Sequence, residues 1–143
     1  MSMDTASQRA LNILLVDDDD LDVMNVQRAF RRANLTNPLH LARDGEQALA
    51  MLRDGTVPIS RLLVLLDLNM PRMNGIEFLR ELRADASLRH ISVVALTTSS
   101  EEQDKVEAYQ LHVAGYLVKP VTFTTFVELM SVLQKYWTLM EMP

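Results

Sequence analysis

Four short apolar runs each end on a polar residue, and that repetition narrows the folds open to this chain. Ile13–Val16 leads into Asp17-Asp18, Leu62–Leu66 into Asp67, Val93–Leu96 into Thr97-Thr98, and Tyr116–Val118 into Lys119-Pro120. A run of four or five apolar residues without polar alternation marks a strand buried on both faces, the habit of parallel sheets. In such sheets ligands sit just beyond the carboxyl ends of the strands. Four strands that each hand a charged or hydroxyl side chain to that edge define one polar site. Its contents are the carboxylates of Asp17, Asp18 and Asp67, the Thr97 hydroxyl and the Lys119 ammonium. Such a set suits a hard metal ion and a phosphoryl group.

Strand and helix patterns alternate along the rest of the chain. Asn12–Val16 is the first predicted strand, followed by Val23, Val26, Phe30 and Ala33 at helical spacing, with Asp19 or Asp20 as N-cap. Pro38–Ala42 reads as a short second strand. Asp44-Gly45 opens a helix carrying Ala48, Leu49 and Leu52, which stops at Asp54-Gly55. The third strand runs to Asp67. Pro71 and Gly75 mark a loop before a helix with Ile76, Leu79 and Leu82. Ser92–Leu96 is the fourth strand, and a polar helix with a thin apolar stripe is expected over Ser100–Gln110. Gly115–Val118 is the fifth strand, and a last helix fills Thr122–Met140. This alternation implies an α/β fold, a parallel sheet wrapped on both faces with right-handed crossovers.

Composition fits one domain with a single core. The chain has 143 residues, of which 48% are hydrophobic and 23% charged, both ordinary globular values. A net charge of −5 argues against a nucleic-acid surface, which carries a basic patch. No apolar run approaches the ~18–20 residues that span a bilayer, so no membrane partner is expected. Met1–Ala10 lacks the apolar centre of a signal peptide and reads as an N-terminal extension to a domain over 11–140, with no output domain after it. The absence of cysteine excludes disulfides and thiolate metal sites. A cytoplasmic protein is the expectation.

Mg²⁺ prefers six oxygens and is held by one or two carboxylates with water and substrate phosphate. Asp17, Asp18 and Asp67, with a backbone carbonyl near Asn69, offer such oxygens. Two carboxylates about 4 Å apart repel by ~1–4 kcal/mol between the dielectric of water and that of a protein surface. Three gathered together call for a counterion, which Lys119 supplies in part and a divalent ion completes. A central aspartate can also act as nucleophile and form an acyl phosphate, with metal and lysine stabilising the transferring group.

Here the chain resembles a known family. Val16-Asp17-Asp18, Leu66-Asp67-Leu68-Asn69-Met70-Pro71-Arg72-Met73-Asn74-Gly75, Leu96-Thr97-Thr98 and Tyr116-Leu117-Val118-Lys119-Pro120 resemble the four signatures of response-regulator receiver domains, over about residues 11–139. The resemblance implies a doubly wound five-stranded sheet of order 2-1-3-4-5. It also implies that Asp67 accepts a phosphoryl group from a sensor histidine kinase. By the same resemblance Asp18, Asp67 and the Asn69 carbonyl bind Mg²⁺ directly, and Asp17 does so through water. Thr97 and Lys119 take the phosphoryl oxygens, and Tyr116 is the switch partner of Thr97. Leu96–Glu102, Tyr109–His112, Lys119-Pro120-Val121 and Tyr136-Trp137 are similar to the stand-alone regulators of bacterial and cyanobacterial phytochromes, which dimerise. Thr98 is bulkier than the Ala or Gly common at that position, and Val121 replaces the usual Phe.

Blander readings fit other residues. Asp19 and Asp20 read as helix cap and solvated turn, and His40, His90 and His112 lack metal-ligand spacing. The nine methionines read as core filler. The last helix carries two apolar stripes, Phe126, Met130, Leu133 and Trp137 beside Leu129, Val132, Tyr136 and Met140. One face suffices to cover a sheet, so the second points to a homodimer around Val121, Phe123, Tyr136 and Trp137. The leading expectation is thus a non-enzymatic phosphoacceptor that signals to an unknown downstream protein. The alternatives are an unphosphorylated pseudo-receiver adaptor, against which the intact acidic and basic residues argue, and an aspartate-based phosphohydrolase. Such hydrolases carry a second acid two residues after the nucleophile, where this chain has Asn69.

Overall fold

A computed structural model describes residues 11–70, 72–97, 110–119 and 122–139, with the side chains of residues 97, 117, 118, 125, 126, 133, 134 and 136–139 outside the description. Five strands, β1 (Asn12–Val16), β2 (Leu39–Ala42), β3 (Leu62–Asp67), β4 (Ser92–Thr97) and β5 (Gly115–Val118), form one parallel sheet of order β2-β1-β3-β4-β5. Four described helices accompany them: α1 (Asp20–Arg32), α2 (Gly45–Arg53), α3 (Gly75–Ala84) and α4 (Phe123–Leu139). The expected doubly wound topology is the one observed. The polar helix expected over Ser100–Gln110 falls almost wholly outside the described residues.

The unbroken apolar runs are explained by cores on both faces. Leu14, Val16, Val64, Leu66, Val93 and Ala95 point to the side of α2 and α3, where Leu49, Leu52, Phe78, Leu79 and Leu82 meet them. Ile13, Leu15, Leu63, Leu65, Val94 and Leu96 point to the other side, against Val23, Ala29 and Phe30 of α1 and Met130 of α4. Every residue of β3 is buried. Burying one such aliphatic side chain contributes about 1.5–3 kcal/mol, so this centre is firmly fixed.

Element boundaries follow local chemistry. β2 begins at Leu39 because Pro38 has no N–H, although its carbonyl still accepts from Ile13 N at 2.9 Å. Asp19, not Asp20, caps α1 by accepting from the N–H groups of Leu21 and Asp22. Asp44 caps α2 through Gln47 N, and Asn74 with Glu77 forms a reciprocal capping box on α3. β3 and β4 each run one residue past the apolar stretch, taking in Asp67 and Thr97, so both polar residues are held by the ladder.

The loop after Asp67 is shaped by alternation and by one glycine. Leu68 and Met70 are buried in the α2/α3 core. Gly75 lies so close that a Cβ there would sit 2.5 Å from Leu68 Cα and 2.6 Å from Asp67 O. Only glycine lets α3 start this near to the end of β3. Arg72 takes a left-handed φ of 61° within the same loop, and its guanidinium lies 3.8 Å from Asp44 at the start of α2.

Candidate functional site

The sheet register brings the acids together. Val16 is paired with Leu66, so Asp17 and Asp67 follow on neighbouring strands, and Asp67 is in turn level with Leu96. Backbone pairing continues past the apolar runs, from Asp17 N to Ala42 O at 3.0 Å and from Leu68 N to Leu96 O at 3.2 Å. Carboxylate oxygens of Asp17, Asp18 and Asp67 lie within 4.8 Å of one another. Asp17 is 1% exposed and Asp67 4%, whereas Asp18 faces solvent. Asp18 and Asp67 border a cleft of about 410 Å³ that Asp19, Asp22, Asn69 and Lys119 complete.

Lys119, just beyond β5, reaches into this group. Its Nζ donates to Asp17 Oδ2 at 2.9 Å and to Asp22 Oδ2 at 2.5 Å, and lies 3.3 Å from Asp67 Oδ2. The second oxygens of Asp17 and Asp67 are also engaged. Asp17 Oδ1 accepts from Asp19 N at 2.9 Å, and Asp67 Oδ1 accepts from Asn69 N at 3.0 Å. The turn carrying Asn69 is therefore tied to Asp67 itself.

Protonation reflects crowding in a buried place. Burial pushes the Asp17 carboxyl up to about 6, against the pull of the Lys119 and Asp19 contacts. Asp67 is likewise raised, first by burial and further by the Asp18 charge, while Asn69 N–H and Lys119 oppose the rise. For Lys119 burial works downward, but the bonds to Asp22 and Asp17 and the charges of Asp17 and Asp67 outweigh it and hold it ionised. Three acids, one cation and an open cleft leave surplus negative charge, which a divalent oxygen-seeking cation would neutralise.

A raised carboxyl is a stability statement with a definite sign. Asp17's contribution is fully present below its unfolded value of 3.8 and is lost as pH rises through about 6 in the metal-free protein. Mg²⁺ should therefore stabilise more at pH 7 than at pH 5. Asp18→Asn should relieve repulsion with Asp67 and raise the metal-free Tm by roughly 2–3 °C, a value discounted for the exposure of Asp18. The same change should shrink the Tm gain from millimolar Mg²⁺. Thermal melts with and without Mg²⁺ check both effects, and equal Mg²⁺ gains in wild type and variant would exclude Asp18 as a ligand.

The other sequence-picked residues are distributed as follows. Thr97 ends β4 in register with Val118, one residue short of Lys119, with its side chain outside the description. Tyr116 is half-buried on β5, packed against the α2/α3 core beside Ala95. Phe123 opens α4 beneath the Arg32 guanidinium, 4.1 Å from its ring centre. Val121 and Thr98 lie outside the described residues, as do the side chains of Tyr136 and Trp137 on α4. Sequence reading missed Asp22, whose only signal is its place one helical turn after Asp18. It also missed Arg83, whose guanidinium donates to the carbonyls of Leu111, Arg89, Ile91 and His112 and so fastens the approach to β5. Partners that are main-chain carbonyls leave no side-chain pattern to read.

A five-stranded sheet of this order with acids at the ends of β1 and β3 and a lysine after β5 defines a receiver, and comparison with known proteins agrees. The pattern of the response regulator receiver domain matches residues 13–131, and the chain belongs to that family. It is 39% identical over 127 residues to "Probable methanogenesis regulatory protein FilR2" of Methanothrix harundinacea, covering 87% of this chain and 82% of that one. To response regulator Rcp1 of Synechocystis it is 36% identical over 128 residues, 87% of each chain. Among solved structures, the bacteriophytochrome response regulator RtBRR superposes with TM-score 0.77 at 39% identity, over 94% of this chain and 84% of that one. The phosphorylated cyanobacterial phytochrome response regulator RcpA gives TM-score 0.77 at 33% identity, over 94% and 99%. The Mn²⁺-bound form of Rcp1 gives 0.75 at 33%, over 93% and 99%. The likeness to phytochrome response regulators read from the motifs is thus borne out. No described helix is long and apolar enough to cross a membrane.

Proposed function

We propose that this receiver takes a phosphoryl group onto Asp67 from a sensor histidine kinase of phytochrome type and passes the signal on by protein contact. The observation that carries the reading is the buried Asp67 carboxylate, 3.3 Å from the Lys119 ammonium and within 4.8 Å of Asp17 and Asp18 oxygens. A carboxylate oxygen of Asp67 attacks the phosphorus of a kinase phosphohistidine. The P–N bond breaks, its electron pair stays with the imidazole, and an acyl phosphate forms on Asp67. Asp18, Asp67 and the Asn69 carbonyl would hold Mg²⁺ directly and Asp17 through water, and the bound ion would offset the charge of the transferring oxygens. The acid triad and the Mn²⁺-bound relative support this donor set. Lys119 donates to a phosphoryl oxygen, as does the Thr97 hydroxyl, and Tyr116 follows Thr97 between two packings. In this reading the domain over 11–140 is a cytoplasmic regulator that accepts and loses that group and does not act as an enzyme on other substrates.

Phytochrome regulators among the relatives support the choice of kinase. Incubation with an autophosphorylated phytochrome kinase and Mg²⁺ should move the label to this chain, and EDTA should slow the transfer by roughly 10²-fold or more. Transfer undiminished by EDTA contradicts the metal role. Label accepted from acetyl phosphate but never from such kinases contradicts the choice of partner. A homodimer over Val121, Phe123, Tyr136 and Trp137 completes the proposal, supported by Val132, which is 64% exposed on α4. Light scattering at micromolar concentration should return two chains, and 16.2 kDa throughout would refute the dimer.

A further inference from the structure

Asp22 stands apart from the acid triad yet makes the shortest contact to Lys119. An ammonium has three N–H donors; two go to Asp22 at 2.5 Å and Asp17 at 2.9 Å, while Asp67 is an ion-pair neighbour at 3.3 Å. Both hydrogen bonds go to acids other than Asp67, and the shorter one draws the lysine towards α1. To turn fully onto a phosphoryl group on Asp67, Lys119 must loosen one of these two bonds. Asp17 is a poor one to release, being 1% exposed with its other oxygen already tied to Asp19 N. Asp22 is different, with a side chain 27% exposed on the first turn of α1, where water can receive the freed carboxylate. It also lines both the acidic cleft and the groove of about 260 Å³ between α1 and the start of α4, so its carboxylate has room to turn away.

We infer that Asp22 is a latch on Lys119: its carboxylate draws the ammonium towards α1 and must let go before the lysine engages a phosphoryl group on Asp67. Asp22 is thus a positioning residue acting through Lys119, and it sets how readily the receiver accepts phosphate. The inference rests on the phosphoacceptor reading. A merely structural acid in this place would slow phosphorylation when removed, whereas a latch speeds it.

The test compares Mg²⁺-dependent labelling by acetyl phosphate in wild type, Asp22→Asn, Asp22→Glu and Asp20→Asn. Asp20 lies on the same turn and pairs with Arg43, not with Lys119, so its substitution controls for simple loss of negative charge. Asp22→Asn should accept label roughly tenfold faster, the lower end of what a charge-assisted hydrogen bond contributes. Asp22→Glu restores the charge and should return to near the wild-type rate, with Asp20→Asn within about twofold. Fluoroberyllate, a phosphoryl mimic, should bind Asp22→Asn more tightly by a similar factor, read by tryptophan fluorescence or calorimetry. Labelling and fluoroberyllate affinity of Asp22→Asn that are unchanged, reduced, or matched by Asp20→Asn would overturn the latch alone. A wild type that takes neither label nor fluoroberyllate would overturn the phosphoacceptor reading and the latch with it.

Discussion

Asp67→Asn is expected to remove acid-labile phosphorylation by acetyl phosphate or kinase, by at least about 10²-fold, while the fold survives. An amide has no anionic oxygen to attack phosphorus, and it cannot form the mixed anhydride. The substitution is nearly isosteric. The side-chain oxygen still accepts from Asn69 N, the bond that holds the loop after β3. The change also removes one of the two buried acids among the described residues, and Asp67 is an acid whose ionisation burial opposes. The metal-free variant should therefore melt no lower than wild type at pH 8, and circular dichroism melts alongside the labelling assay check this. Lost labelling in an unfolded variant would prove nothing, so the two measurements belong together.

Lys119→Met should have the largest effect on stability. The Lys119 side chain is 8% exposed, between Asp17 at 1% and Asp67 at 5%. Removing one partner of a buried ion pair costs about 3–5 kcal/mol, because the remaining charge loses its compensation. Methionine fills the space of the aliphatic stem, so the deficit is electrostatic. Two consequences separate this account from poor packing. Carboxyls already raised by burial will rise further, so the deficit should be greatest at pH 8 and shrink towards pH 5 as they protonate. Mg²⁺ should raise the Tm of the variant more than that of wild type, since the cation replaces part of the missing charge. A metal-free variant as stable as wild type at pH 8 would show that Lys119 does not compensate the acids.

What the sequence reveals here depends on how local the cause is. Both-face burial needs apolar residues at every position, so the run from Leu62 to Leu66 announces β3, and Asp67 stands out as the residue that ends it. Caps are equally local, which is why Asp19 and Asp44 mark helix starts. Boundaries slip by a residue where backbone pairing outlasts the apolar run, as at Thr97. The acid triad is legible because strand ends in a parallel sheet share one edge. Asp22 is not legible, because its partner Lys119 is 97 residues away and its own helix turn supplies a sufficient bland role. Nor is the place of Phe123, whose contact with Arg32 joins the two helices of one face. Periodicity marks which residues are buried, but not which long side chains cross between elements.

The central claim, that Asp67 is the phosphoacceptor, is tested most directly by locating the modification. The chain is incubated with acetyl phosphate and Mg²⁺, the acyl phosphate is reduced with borohydride, and the peptides are sequenced by mass spectrometry. The account predicts one reduced residue per chain, at position 67, absent when Mg²⁺ is chelated. Reduction at Asp17, Asp18 or any other acid, with Asp67 intact in fully labelled protein, would contradict it.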